Sequence, residues 1–417
     1  SKHDTAPNPR RWLLLGLLLI SYIFNFLDRQ IVSILQIPLK AELGLSDTQL
    51  GLLGGTAFAI FYSTLAIPLA VLADRYGRLK VVAAGVFGWS LFTALCGLAR
   101  GFPALFAARV GVGVGEAAGV APSYALLSTA FPERSRARAL AIYSLGIPFG
   151  SGLGIFLGGW LAQAFDWRTA FIVVGLAGIP VAIALWMFER TFPDKLDHGP
   201  GEIPNLRGTF RQLAAKPSFW LLSFGAASSS ICGYGFGQWI PRMLHDIQGT
   251  DLKSLGQYFG SVVVIGGSIG IIAGGILADR FSGARKGAYA LVPALAFAAA
   301  APLYAVAFYM SSLSTAWFFY TVAYGLSVLW LGPIVAGMQG LVRPASRAAA
   351  SAMFLLINNL IGIGLGPLIF GMASDRMAAS YGSESLRLAP TDGLGFYVVA
   401  MVLCGLTALR LRADSES

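Results

Sequence analysis

Apolar stretches of about 20 residues recur along the whole chain, separated by short basic or proline-containing turns. A helix rises 1.5 Å per residue, so about 20 apolar residues cross a hydrocarbon core roughly 30 Å thick. Counting on that length predicts twelve spans, at residues 12–37, 49–72, 79–99, 103–129, 138–162, 168–189, 217–243, 254–278, 287–309, 314–341, 348–372 and 393–411. The pattern is that of an all-α polytopic membrane protein. One interruption is longer than the rest. Residues 190–216 hold Pro193, Pro200 and Pro204, then Arg207, Arg211 and Lys216, and read as a linker. It divides the chain into a six-helix half over 1–189 and a second over 217–417.

Composition agrees. Of 417 residues, 56% are hydrophobic and 12% charged, too apolar a balance for a soluble domain of this length. The formal net charge of +10 sits in short runs between spans and forms no continuous patch, which argues against nucleic acid. Those runs are asymmetric. On one side lie 21 of the 30 lysines and arginines, on the other 7, and Arg29 and Arg109 fall inside spans. The positive-inside bias therefore makes both termini and the linker cytoplasmic. No cleavable leader is expected before the first span. Cys96, Cys232 and Cys404 all lie in apolar segments without metal or disulfide spacing, so neither metal nor cofactor is expected. The run Gly111–Gly115 follows no strand and reads as close helix packing, not a phosphate loop. No HExxH, CxxC or nucleophile elbow is present, so an enzyme is not expected.

Four charges stand where hydrocarbon should be. Arg109 and Glu116 are seven residues apart in span 4, close to two turns, hence on nearly one face. Asp28 and Arg29 sit inside span 1. Counted inward from Pro103, Arg109 is roughly 9 Å deep and Glu116 roughly 20 Å; counted from Pro38, Asp28 is roughly 15 Å deep. The depths allow one network of Asp28, Arg109 and Glu116. Each charge costs about 2.5–3.5 kcal/mol at bilayer depth, so intramembrane charges usually serve function. A carboxyl there can exchange a proton while arginine holds it or a substrate anion. Glu116, the deeper carboxyl, is preferred over Asp28 for the proton. The alternative is a static ion pair that fixes packing. Arg29, about 100° round the helix from Asp28, either pairs elsewhere or faces an access route.

The halves repeat. Leu72–Lys80 (LADRYGRLK) recurs after span 8 as Leu277–Lys286 (LADRFSGARK), and Pro132–Ala139 recurs after span 10 as Pro344–Ala350. Repeats of like orientation imply a two-fold axis along the membrane normal and a cavity between the halves. The Asp-Arg-x-Gly-Arg loop, its echo and the Arg109-x-x-x-Gly113 pattern resemble the major facilitator superfamily. Ala70, Leu79 and the Ser282 insertion depart from its loop pattern. Within the superfamily, Phe24–Arg29 (FNFLDR), Val112–Ser123 (VGVGEAAGVAPS) and Ala141–Gly154 (AIYSLGIPFGSGLG) resemble the Spinster family of lipid transporters.

That resemblance implies two pseudo-symmetric six-helix bundles in a bacterial inner membrane. It implies a monomeric secondary transporter moving a lipid-like or amphipathic solute by alternating access, with protons and membrane lipids as partners. Asp74, Arg75, Arg78 and Arg136, with Asp279 and Arg280 in the second half, are the candidate cytoplasmic gate. Asp74 is expected to pair across to Arg134, Arg136 or Arg138. The second half offers an aromatic and amide wall in Tyr234, Phe236, Trp239, Trp330 and Asn358, and no confidently buried charge. The rival reading keeps the fold and changes the cargo to a carboxylate or sugar acid.

Overall fold

The structure is a computed structural model that describes residues 9–191, 206–281, 287–343 and 346–416. Among them, twelve long helices carry the fold. The first six are α1 (Arg10–Leu43), α2 (Asp47–Tyr76), α3 (Arg78–Cys96), α4 (Phe102–Ala130), α5 (Arg138–Ala164) and α6 (Trp167–Thr191). The second six are α7 (Pro217–Gln248), α8 (Leu252–Arg280), α9 (Ala288–Tyr309), α10 (Leu313–Gln339), α11 (Arg347–Tyr381) and α12 (Gly395–Glu416). Two short helices, Leu206–Ala214 and Ser385–Gly393, lie before α7 and before α12. Of the expected linker, residues 192–205 lie outside the described residues, as do Ser282 and Pro344 of the repeated loops.

Among the described residues, ten stretches are long and apolar enough to cross a membrane. The last, Ala349–Leu411, covers most of both α11 and α12; α11 ends at Gly382, whose φ of +55° suits glycine. α7 is long enough but buries Ser228, Ser229, Ser230, Gln238 and Arg242 against its neighbours, so its sequence is more polar than a lipid-facing helix.

The packing repeats as the sequence does. α1 lies on α5 as α7 lies on α11; α2 on α4 as α8 on α10; α3 on α6 as α9 on α12. Across the halves, α2 packs on α11 as α8 packs on α5. Breaks in the helices repeat too: α4 loses its regular ladder at Ala118–Gly119 and α10 at Leu329–Trp330. Gly77 makes the turn from α2 to α3 at φ +104°, a conformation a side chain would strain.

The face with the termini and the Leu72–Lys80 loop is here called the basic face, the opposite one the far face. The cross-half contacts named here all lie toward the far face. A Cβ on Gly152 of α5 would stand 2.2 Å from Val264 and 2.8 Å from the Gly260 carbonyl of α8. A Cβ on Gly55 of α2 would stand 2.3 Å from the Ile363 carbonyl of α11. Thr56 donates to the Gly364 carbonyl at 2.6 Å, and Lys253 donates its backbone N–H to Gln163 at 2.7 Å. At the same face Asp166 and Asp251 cap α6 and α8 by accepting from Thr169 and Ser254, and these bonds hold both carboxyls below the usual range.

Because backbone meets backbone at Gly152, a larger side chain must wedge the halves apart. Gly152→Val is expected to widen the spin-label separation measured between Gln163→Cys and Lys253→Cys. An unchanged distance distribution would show that this contact does not hold the far face shut.

Candidate functional site

A central cavity of about 230 Å³ lies between the halves. The first half lines it with Tyr22, Phe26, Arg29, Tyr62 and Tyr124, among others. The second half lines it with Ser230, Tyr234, Trp330, Leu355, Asn358 and Asn359, among others. Three of the five wall residues expected from sequence, Tyr234, Trp330 and Asn358, are therefore on the cavity. Phe236 and Trp239 are not. On α7, residues 229, 230, 233, 234 and 237 share the cavity face, and 100° per residue turns 236 and 239 away from it. Phe236 instead packs among Tyr304, Phe308, Phe370 and Tyr397. Trp239 is buried and donates to the Pro367 carbonyl at 2.9 Å.

The buried pair is not the one the seven-residue spacing suggested. Arg29 on α1, not Arg109, meets Glu116, with Nη2 2.9 Å from Oε2. The same Nη2 donates to Asn25 at 3.1 Å. The guanidinium lies 4.5 Å from the Phe26 ring centre, 4.6 Å from Phe58 and 4.6 Å from Tyr62. Rings on a cation replace part of its lost hydration. Arg29 lines the cavity, while Glu116 is fully buried behind it.

Arg109 does another task. Its Nη1 donates to the Asp28 carbonyl at 3.1 Å and its Nε to the Leu53 carbonyl at 3.4 Å, so it ties α4 to α1 and α2. The Leu53 carbonyl lies in a π-helical turn, Leu52–Thr56, where ordinary backbone pairing is interrupted. Gly113 lets α4 close on α2, because a Cβ there would stand 2.4 Å from the Phe58 carbonyl. Asp28 is buried, and neither carboxyl oxygen has a hydrogen-bond partner among the described residues. Glu116 Oε1, Arg29 Nε and Arg109 Nη2 are likewise without partners. Such atoms cost free energy where they stand, so the cluster is not a fully satisfied packing motif.

A second charged network closes the far face, and the sequence reading missed it. Asp47, at the start of α2, is buried and bonded by both Arg242 of α7 and Lys40 of α1. It also accepts from Ser374 at 2.7 Å. Asp375 of α11 accepts from the backbone N–H groups of Asp47 and Thr48 at 3.1 and 2.7 Å. Arg242 corrects the expectation that spans 7–12 hold no buried charge. It stands at the end of the expected span 217–243, but α7 runs on to Gln248. Asp246, one turn further, was the available signal, and it pairs with Arg242 at 3.3 Å.

On the basic face, Asp74 pairs with Arg78 at 2.7 Å across the Gly77 turn; of its expected partners, the Arg134 side chain lies outside those described and Arg138 lies over Trp12. Arg136 reaches its own Phe131 carbonyl at 3.4 Å. Arg75 lies over Tyr76, and Asp279 and Arg280 are exposed at the end of α8. The Asp74–Arg78 and Arg136–Phe131 bonds both stay within the first half.

Residues 18–367 match the Major Facilitator Superfamily, and the chain belongs to it. It is an integral membrane transporter, not an enzyme. Within that superfamily it is a homologue of the Spinster proteins. It superposes with a TM-score of 0.86 on a bacterial homolog of the human lysosomal transporter Spinster, described as inward-facing and unoccupied. That pair is 30% identical, over 98% of this chain and 99% of the other. The occupied form of such a homolog gives 0.79 at 29% identity, over 99% of this chain and 98% of that one. An MFS-type efflux pump of Mycolicibacterium smegmatis is 32% identical over 99% of this chain and 96% of its own. A sphingosine-1-phosphate transporter of Danio rerio is 24% identical over 89% and 77%. A hexuronate transporter of Bacillus subtilis is 29% identical over 65% of each chain.

Removing one member of a buried pair strands the other, at a cost of about 3–5 kcal/mol. A half-exposed pair is worth about 0–1 kcal/mol. Asp47→Ala is therefore expected to lower the thermal unfolding midpoint by several degrees, and Asp74→Ala to leave it nearly unchanged. Equal shifts in the two variants would contradict this ranking.

Proposed function

We propose that the protein is a proton-linked secondary transporter of an amphipathic, lipid-like solute. The observation that carries this reading is Arg29. It stands on the cavity wall, clad by three rings, with one edge on Glu116 and its Nε unpartnered. An anionic head entering the cavity competes with Glu116 for that guanidinium. A carboxylate displaced from its partner at this depth is costly as an ion and takes up a proton. Occupancy of Arg29 by cargo is thereby linked to protonation of Glu116. Asp28 and Arg109 support the pair from behind.

The cargo's apolar body fits the remaining wall. Phe26, Ile155, Phe259, Val263, Ile271, Val328, Leu331 and Leu355 line the same cavity. The sphingosine-1-phosphate transporter relative agrees with this choice. A second reading, transport of a small sugar acid, is favoured by the hexuronate-transporter relative and by the cation itself. Among the described residues the second half buries one cation, Arg242, and Asp47 occupies it at the far face, which argues against a second cationic contact for an anion there.

The Lys/Arg bias supports a cytoplasmic basic face in a bacterial plasma membrane, with both termini on it. On that orientation the far-face closure corresponds to an inward-facing state. Residues 1–189 and 217–417 would rock as two bodies of one monomer about the cavity. Asp74, Arg75, Arg78, Arg136, Asp279 and Arg280 would form the opposite gate when the basic face closes.

In proteoliposomes, Glu116→Gln is expected to abolish the dependence of uptake on an imposed pH gradient. Unchanged dependence would remove Glu116 from coupling. Thermal shifts separate the cargo readings: a lysophospholipid is expected to stabilise the protein and a hexuronate not to, and the reverse would favour the sugar-acid carrier.

A further inference from the structure

The second half faces the cavity with a chain of hydrogen bonds that has a direction. Ser230 of α7 donates to Asn358 Oδ1 of α11 at 2.9 Å. Asn358 Nδ2 in turn donates to Asn359 Oδ1 at 3.4 Å. All three residues line the cavity. Each amide has its carbonyl oxygen engaged by the donor before it, so the polarity runs outward to the Asn359 amide hydrogens. Those have no partner in the described residues, and Asn359 is half-buried where Asn358 is buried. An amide whose oxygen is already engaged offers donors, and a donor turned to a largely apolar cavity selects an acceptor.

We propose that Asn359 is a specificity-determining contact for an oxyanion on the cargo, acting from the second half while Arg29 acts from the first. This rests on the reading of Arg29 as the anion site and extends it. The head group would carry at least two acceptor oxygens, as phosphate, sulfonate and carboxylate do, and a neutral hydroxyl head would use the contact poorly. One ligand group would then touch α1 and α11 together, so that cargo ties the two halves across the cavity. Oxygen acceptors on a charged group form hydrogen bonds roughly twice as strong as neutral ones, which sets the sign of the preference.

The test uses the full chain in nanodiscs and two probes with the same acyl chain, a lysophosphatidate and a neutral monoacylglycerol. Asn359→Leu removes the donor at similar size, and Asn359→Asp replaces it with an acceptor. Lysophosphatidate affinity is expected to fall about tenfold in Asn359→Leu and further in Asn359→Asp, with monoacylglycerol affinity unchanged in the first. Equal losses for both probes, or no loss for either, would overturn the proposal. If wild type binds galacturonate and not lysophosphatidate, the lipid reading fails, and the same variants are read on galacturonate against galactose. If wild type binds neither anion, the anion site itself fails and this inference with it. Thermal unfolding of each variant without ligand confirms that a loss is not misfolding.

Discussion

The ion pair between Arg29 and Glu116 constrains everything around it. Two charges at bilayer depth are tolerable only when each is the other's counter-ion and when rings, amides or carbonyls replace lost water. Phe26, Phe58 and Tyr62 supply the rings, and Asn25 the extra acceptor. The glycines of α4 let its backbone close on α2 and α3. Arg109 fixes the carbonyls of Asp28 and Leu53, so the three helices that hold the pair keep one register. Yet several polar atoms of the cluster lack partners among the described residues, so the pair is not fully satisfied where it stands.

The far face is closed by a different kind of chemistry. Glycine contacts between α5 and α8 and between α2 and α11 bring uncharged backbone close together, while Asp47 gathers Lys40, Arg242 and Ser374. A closure built of apolar contact alone would cost little specificity to misalign. One built around a buried carboxylate is all or none, because leaving Asp47 or Arg242 alone is far more expensive than holding both. The pair at the cavity and the network at the far face thus share one logic: neither charge can be abandoned in place.

Span length and basic turns made the twelve helices and their repeat legible, because both follow from hydrocarbon thickness and loop charge. Arg29, Asp28, Arg109 and Glu116 were legible as out of place. Their pairing was not. Seven residues put Arg109 and Glu116 on nearly one face, but the π-helical turn in α2 gave Arg109 a carbonyl to hold, and that turn has no plain sequence signature. Phe236 and Trp239 were legible as large residues in a glycine-rich helix; only the position of Ser230 and Tyr234 on the cavity sets the phase that turns them inward to their own bundle. Arg242 hid at a span boundary, where a helix continuing past its apolar stretch cannot be told from a loop.

The central claim is that Arg29 exchanges Glu116 for a cargo anion and that the freed carboxyl takes a proton. The most direct measurement is proton uptake by the detergent-free protein in weak buffer when an anionic amphiphile binds. Wild type should remove close to one proton per bound ligand from solution and Glu116→Gln almost none. Ligand binding with no proton uptake in wild type would contradict the account.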